Sequence, residues 1–270
     1  MLKMRLLSGF VVILFLLAFA MAGGDPLLVA LCVVSLIGLF EFYRVMGIES
    51  TILGFIGYGA TILHYWGIRE KVFLYHENLF FFLMIMLCLL LGAYVFTYPK
   101  FHMENVMAAL FGIAYISLML SCVYLLRMLP GGESLLWVVF IASWGSDTCA
   151  YCAGSLFGKH KLVPILSPKK TIEGAVGGVM GSLMITLLYS LYLRQQMDFS
   201  LRHILFLMAI AGVGSLVSMI GDLAASAIKR NYDVKDFGTI LPGHGGIIDR
   251  FDSVILVAPL VYFLSLYLIK

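Results

Sequence analysis

Residues that could bind an anionic ligand are concentrated in two polar segments of the second half of the chain, 147–174 and 222–252. In the first, Asp147 precedes the run Lys169, Lys170 and Thr171. The candidates in the second are Asp222, Ser226, Lys229, Arg230, Lys235, Asp236, His244, Gly245, Gly246, Asp249, Arg250 and Asp252. Carboxylate oxygens are ligands for hard cations such as Mg²⁺, and Lys or Arg side chains bind phosphate oxygens.

The carboxylate of Asp222 lies on the polar face of a predicted helix. The polar residues Ser215, Ser218, Asp222, Ser226 and Lys229 are spaced 3, 4, 4 and 3 apart and fall within about 60° of the helix circumference. A carboxylate at membrane depth normally faces a wet cavity or a partner. A structural carboxylate held by serines is the alternative. The basic loop that follows favours a ligand path.

The loop after this helix contains residues that allow sharp turns and close backbone approach. Pro242 and Gly243 favour a turn, and Gly245 with Gly246 would let the backbone come close to a ligand. Asp249 and Asp252 follow, three residues apart at the start of the last predicted helix. The two carboxylates could share a metal ion, or Asp252 could cap that helix.

The elements that carry these residues must be membrane helices. Of the 270 residues, 62% are hydrophobic and 12% are charged, whereas a soluble domain has about 25% charged residues. The mean hydropathy of +1.02 excludes a disordered chain, and the net charge of +3 gives no sign of nucleic-acid binding. The sequence therefore predicts an all-α integral membrane protein, a polytopic bundle of about nine transmembrane helices.

Nine stretches have the length and composition to cross a bilayer. They are 6–22, 27–47, 51–68, 79–97, 105–126, 134–158, 173–193, 203–227 and 253–269. We expect the first to remain as an uncleaved anchor, although Ala18 to Ala22 would permit a signal-peptide cleavage site. Residues 1–130 are predicted to be a scaffold with a possible dimer contact, and residues 131–270 to carry the catalytic motifs and cytoplasmic loops.

The distribution of basic residues predicts the orientation. With nine spans, 12 of the 18 Lys and Arg residues lie on the side of the N-terminus, including those of both polar loops, 159–172 and 228–251. The positive-inside rule makes that side cytoplasmic. The candidate site should therefore face the cytoplasm.

The segment from Ser226 to Asp252 resembles the signature of the phosphatidate cytidylyltransferases, also called CDP-diacylglycerol synthases. That signature reads S-x-apolar-K-R-x4-K-D-x-G-x2-apolar-P-x-H-G-G-apolar-x-D-R-apolar-D, and this chain matches every fixed position. The stretch from Asp147 to Gly174 is similar to three further elements of the family, D-x3-Y-x2-G, G-x-x-K-L-x-P and S-P-K-K-T-x-E-G. The resemblance is strong over about 140–255.

The resemblance implies transfer of CMP from CTP to phosphatidic acid, giving CDP-diacylglycerol and pyrophosphate, in a bacterial inner membrane. It implies Mg²⁺, with two metal ions an option, and it favours a homodimer. On this reading Asp222, Asp249 and Asp147 are the metal ligands, and the catalytic residues are Asp222, Asp249, Lys229 and His244. The predicted substrate-binding residues are Ser226, Arg230, Lys235, Asp236, Gly245, Gly246, Arg250, Lys169, Lys170 and Thr171.

Other classes of protein fit the sequence less well. A secondary transporter with an intramembrane carboxylate ion site is the alternative, but no inverted repeat is evident and the polar loops lie on one face. The chain also lacks the D-x2-D-G motif typical of the CDP-alcohol phosphotransferases, because Asp222 is followed by Leu223-Ala224-Ala225-Ser226, with Ala225 and Ser226 in place of the second Asp and the Gly. The glycines from Gly174 to Gly181 form small-xxx-small pairs, which favour packing within the chain over dimerisation.

Overall fold

The computed structural model of the protein describes residues 18–72, 76–196, 200–240 and 245–269. Eight long helices make up most of the described residues, and a short hairpin supplies two strands. The helices are α1 (Gly24–Val45), α2 (Ile52–Arg69), α3 (His76–Thr97), α4 (Met103–Arg127), α5 (Gly132–Phe157), α6 (Ile172–Gln196), α7 (Leu201–Asn231) and α8 (Ile248–Ile269). Single π-helical segments interrupt α4 at Ile113–Leu118 and α5 at Ile141–Gly145.

Seven of these helices, all except α2, are long and apolar enough to cross a membrane. The predicted all-α, multi-pass membrane architecture is therefore confirmed, whereas the count of about nine spans is not. The first predicted span, 6–22, lies mostly outside the described residues. A helix does form where the span 51–68 was predicted, but its glycines together with His64 and Arg69 lower its hydropathy.

The polar loop 159–172 contains secondary structure that the sequence reading did not anticipate. Strand β1 (Lys161–Val163) pairs with β2 (Ser167–Thr171) in an antiparallel hairpin, and Lys161 lies opposite Thr171. Helix α6 begins at Ile172, directly after β2. The Thr171 hydroxyl accepts a hydrogen bond from the Gly174 amide at 3.1 Å, which caps the first turn of α6.

The described residues belong to two compact units, Met1–Tyr124 with Val234–Arg250 and Leu125–Asp233 with Phe251–Lys270. In the first unit Tyr43 is fully buried, and its hydroxyl donates to the Ala109 carbonyl at 2.7 Å. Gly57 and Gly112 leave room for the ring, since a Cβ at either position would collide with it. The loop that precedes α8 belongs to this unit although it is distant in sequence. The predicted division of roles between 1–130 and 131–270 stays a prediction.

In the second unit the glycine-rich face of α6 packs closely on α5. A Cβ at Gly177 would collide with Ala153, and one at Gly181 would collide with Cys149. Small residues allow helix backbones in membranes to approach closely and to gain dispersion contacts. This face of α6 is therefore used for packing within the chain, as the sequence analysis favoured. The hairpin connects the end of α5 to the capped start of α6.

Candidate active site

The first group of candidate residues lies in the second unit, where the hairpin meets α7. Lys170 on β2 forms an ion pair with Asp222, and the two side chains are 24% and 31% exposed. Asp222 lies about two-thirds of the way along the 31-residue helix α7, on the same face as the buried Ser215 and Ser218. The polar face predicted from the spacing is thus present, and its carboxylate has a cationic partner supplied by the hairpin.

Two further carboxylates lie close to Asp222. Asp147, on α5, accepts a hydrogen bond from the Ser253 hydroxyl at 3.1 Å. Asp252, on α8, accepts from the Ser253 amide at 2.7 Å. Asp252 interacts electrostatically with Asp222, Lys229 and Asp147. Three helices therefore bring together three carboxylates and, with the hairpin, two lysines.

Close backbone packing explains why these carboxylates can approach one another. A Cβ at Gly221 would lie 2.7 Å from the Asp252 carbonyl oxygen, so α7 and α8 are in backbone contact one residue before Asp222. Glycine has no Cβ and permits such an approach. Because three like charges repel one another at short range, the group needs cations beside it. Lys170 and Lys229 are two such cations.

The second group of candidate residues lies in the first unit, around the loop that precedes α8; we call residues 234–249 the signature loop. The Asp249 Oδ2 atom accepts hydrogen bonds from the amides of Phe237 and Gly246, both at 2.9 Å. Gly245 has a φ of +81°, which favours glycine, and a Cβ there would lie 2.9 Å from the same carboxylate oxygen. Asp249 therefore links the two described stretches of this loop, 234–240 and 245–249.

Glu41 is a further residue at this loop, and the sequence analysis did not assign it a role. Its carboxylate is completely buried, and Oε2 accepts from the Ile248 amide at 3.2 Å. Arg44, one turn later on α1, donates to the Phe237 carbonyl at 3.1 Å. Charged side chains within an apolar membrane span are energetically unfavourable and often mark functional sites. The presence of Glu41 and Arg44 near the end of such a span was therefore the signal in the sequence that could have identified them.

The remaining predicted residues fall into three sets. Ser226 and Lys229 are partly exposed on α7, close in sequence to the exposed Arg230. Lys235, Asp236 and Arg250 are exposed in the first unit, and Lys169 is exposed on β2. His244 lies outside the described residues. The structure thus brings Asp222 together with Asp147, Lys170 and Lys229, whereas ligation of one metal by Asp222 and Asp249 stays a prediction.

A divalent cation is compatible with the donor atoms of the carboxylate group. Asp147, Asp222 and Asp252 supply hard oxygen atoms, and Mg²⁺ is commonly bound by one or two carboxylates together with water and substrate phosphates. Within the described residues, no set of three or more His, Cys, Asp or Glu side chains is arranged to hold a metal by itself. The arrangement therefore fits a cation that needs substrate oxygens to complete its coordination.

The fold and these residues define a multi-pass membrane protein with a carboxylate and lysine site, and comparison with known proteins identifies its family. The chain belongs to the cytidylyltransferase family, which it matches over residues 3–268. It is 33% identical to the phosphatidate cytidylyltransferase of Staphylococcus haemolyticus over 260 residues, which are 96% of this chain and 97% of that protein. It is 31% identical to the phosphatidate cytidylyltransferase of Bacillus subtilis over 274 residues, with 97% of each chain covered.

Proposed function

We propose that this protein transfers CMP from CTP to phosphatidic acid, producing CDP-diacylglycerol and pyrophosphate. The observation that carries the proposal is the similarity to phosphatidate cytidylyltransferases over 96–97% of the chain. The match from Ser226 to Asp252 adds to it, because it includes every fixed polar position of the signature. The substrates would be CTP and a membrane lipid, and phospholipid biosynthesis would be the process served.

The chemistry is a substitution at the α-phosphorus of CTP. An oxygen of the lipid phosphate forms a new bond to that phosphorus, and the bond to the oxygen that bridges to the β-phosphate breaks, so that pyrophosphate leaves. A phosphate monoester has a second pKa near 6 and is mostly dianionic at pH 7, so the attacking oxygen needs no general base. The main barrier is the repulsion between two anionic substrates, and catalysis requires their alignment and charge neutralisation.

The residues of the second unit suit this task. Lys170 pairs with Asp222 and Lys229 interacts with Asp252, and in our proposal both lysines contact phosphate oxygens of the substrates. Ser226, Arg230, Lys169 and Thr171 are proposed to help position the two phosphates. The Thr171 hydroxyl already caps α6, so its contribution would be to fix the hairpin rather than to bind substrate directly.

Asp222, Asp147 and Asp249 are the proposed ligands of Mg²⁺, which when bound would neutralise phosphate charge. The support for Asp222 and Asp147 is their proximity across α5 and α7. The support for Asp249 is its place in the signature. The other proposed site residues of the signature have the same support: His244, Lys235, Asp236, Gly245, Gly246 and Arg250. Whether one or two cations bind is a question for metal titration.

We also propose that the active site faces the cytoplasm, where CTP is found, and that the protein lies in a bacterial cytoplasmic membrane. The bacterial relatives and the seven apolar helices support the membrane assignment. The excess of basic residues in the two polar loops supports the orientation. A homodimer is proposed from the family resemblance alone.

The test is incorporation of label from [α-³²P]CTP into lipid by membranes that contain the protein. We expect a chloroform-soluble product that requires both phosphatidic acid and Mg²⁺, and at least a 100-fold lower rate for Asp222→Asn and for Asp249→Asn, roughly the cost of removing one transition-state contact. Each variant must be present in the membrane at the wild-type level. Release of label as free CMP without a lipid product would contradict the proposal, and full activity of both variants would exclude these metal ligands.

A further inference from the structure

We propose that Glu41, assisted by Arg44, is a positioning residue for Asp249 and that it acts by holding the backbone of the signature loop. The proposal rests on the proposed function, since Asp249 is one of its metal ligands. Glu41 lies on α1, about two hundred residues from the loop in sequence. None of the family motifs discussed above includes it, and only the folded chain brings it to the loop.

The environment of Glu41 is unusual for a membrane helix. The carboxylate is fully buried, and its Oε2 atom accepts from the Ile248 amide, the first residue of α8. Neighbouring charges are Arg44 and Asp249. Burial of an ionisable group is unfavourable unless hydrogen bonds or charges compensate for it. An apolar residue would satisfy the hydrophobic position on α1 better, so the carboxylate is useful to the protein for its contacts with the loop.

Two glycines of the signature leave space for this carboxylate. A Cβ at Gly246 would collide with Glu41 Oε2, and a Cβ at Gly238 would collide with Oε1. Gly238 and Gly246 belong to the two described stretches of the loop, 234–240 and 245–249. The sequence analysis attributed Gly246 to close approach of a ligand, whereas in the structure its open side faces Glu41. The Glu41 carboxylate therefore lies against both described stretches of the loop, at Gly238 and at Gly246.

These contacts form one hydrogen-bond network around the backbone of Phe237 and the start of α8. Asp249 Oδ2 accepts from the Phe237 and Gly246 amides, and Arg44 donates to the Phe237 carbonyl. Glu41 accepts from Ile248, the residue before Asp249. Glu41 holds the backbone at Ile248, immediately before Asp249, and Arg44 holds the carbonyl of Phe237, whose amide donates to Asp249. Glu41 and Arg44 therefore fix where the Asp249 carboxylate lies.

The experiment measures the loop and the reaction separately in detergent-purified full-length protein. Amide hydrogen exchange of peptides covering 234–250, without substrates, reports the loop directly. For Glu41→Ala we expect exchange there to accelerate about tenfold or more, since buried hydrogen bonds are lost. We expect kcat to fall about 10- to 100-fold with KM for phosphatidic acid within about twofold of wild type, as expected for a misplaced catalytic group. Glu41→Gln, which keeps an acceptor oxygen of the same reach, should restore most of both properties.

Ser35→Ala is the matched control. Ser35 is also buried on α1, but its hydroxyl bonds with the Tyr65 hydroxyl of α2 at 2.8 Å and not with the loop. We expect this variant to leave loop exchange and kcat unchanged. If Glu41→Ala is poorly inserted, Arg44→Ala serves as the second variant and should accelerate exchange at Phe237.

Wild-type exchange and kcat in both Glu41→Ala and Arg44→Ala would overturn the proposal, as would equal effects of Ser35→Ala. Loss of activity in Glu41→Gln equal to that in Glu41→Ala, with normal loop exchange, would also overturn it, because the carboxylate would then act on the reaction and not through the backbone. Since exchange needs no substrate, a protein without cytidylyltransferase activity would disprove the proposed function while leaving the exchange comparison intact.

Discussion

Lys170 on strand β2 forms an ion pair with Asp222 in the C-terminal third of helix α7. Lys170 belongs to one of the family motifs, and Asp222 lies four residues before the signature segment that begins at Ser226, so their contact brings the two polar segments of the chain together. The Nζ atom of Lys170 is buried, and because burial of a charge carries a desolvation cost, the pair is weak evidence for a gain in stability. Its value lies in keeping a carboxylate and a cation together where anionic substrates would bind.

Replacement of Lys170 should therefore affect the reaction more than the fold. We expect Lys170→Ala to lower kcat/KM for CTP about 10- to 100-fold, because one cation is lost beside the reacting phosphates. Lys170→Arg should recover part of this loss. The matched control is Lys159→Ala, which replaces an exposed lysine before the same hairpin, at a position that the motif G-x-x-K-L-x-P leaves unspecified. Equal losses in the two alanine variants would mean that the hairpin contributes only general positive charge.

Removal of the metal should abolish activity, and replacement of Asp222 should raise the Mg²⁺ concentration that the reaction requires. EDTA treatment followed by Mg²⁺ titration is expected to restore the wild-type rate. For Asp222→Asn the Mg²⁺ concentration at half-maximal rate should rise about tenfold or more, since an amide is a weaker ligand than a carboxylate. Asp233→Asn is the control, because Asp233 is exposed and lies at a position that the signature leaves unspecified. An unchanged Mg²⁺ requirement in Asp222→Asn would exclude Asp222 as a ligand.

The sequence predicted the membrane architecture and the polar face of α7 because both depend on local patterns. Long apolar runs specify spanning helices, and serines and Asp222 at helical spacing specify one face. The start of α6 was also predicted to within one residue, since Thr171 and Glu173 are typical of a helix N-terminus. These features need no knowledge of which helices are neighbours.

Features that depend on distant contacts were not predictable in the same way. Glu41 bonds with Ile248, 207 residues away, and no local pattern identifies a partner at that distance. The hairpin was missed because its strands have only three and five residues and show no alternation of apolar and polar residues. From the sequence, Asp252 could either share a metal ion with Asp249 or cap the last helix. The structure places it, with Asp222 and Asp147, in a carboxylate group that sequence spacing alone could not reveal.

The contact between Glu41 and Gly246 predicts a non-additive pair of substitutions. We expect Gly246→Ala alone to lower kcat strongly, about 10- to 100-fold, because the new methyl group collides with the carboxylate and displaces the loop. In a Glu41→Ala background the same substitution should add less than about threefold, since the collision is gone. The four rates form a double-mutant cycle. Multiplicative losses would show that Gly246 serves another purpose, such as contact with substrate.

The glycine face of α6 should be required for stability in the second unit. Gly177→Val should destabilise the protein by about 1–3 kcal/mol, because its side chain would collide with Ala153 on α5. The measurement is thermal unfolding in detergent, followed by intrinsic fluorescence. Gly92→Val is the matched control in another membrane helix, where a Cβ at position 92 meets no atom within 4 Å. Equal destabilisation by both variants would argue that valine, not the collision, causes the effect.

The orientation of the hairpin can be tested by labelling a single cysteine from each side of the membrane. In a variant that lacks the five native cysteines, Lys159→Cys places a thiol in an exposed position before β1. We expect a membrane-impermeant maleimide to label it in inside-out vesicles and not in intact spheroplasts, because the basic loops should lie in the cytoplasm. The cysteine-free parent should retain its cytidylyltransferase activity. Labelling from the outer side alone would contradict a site that draws CTP from the cytoplasm.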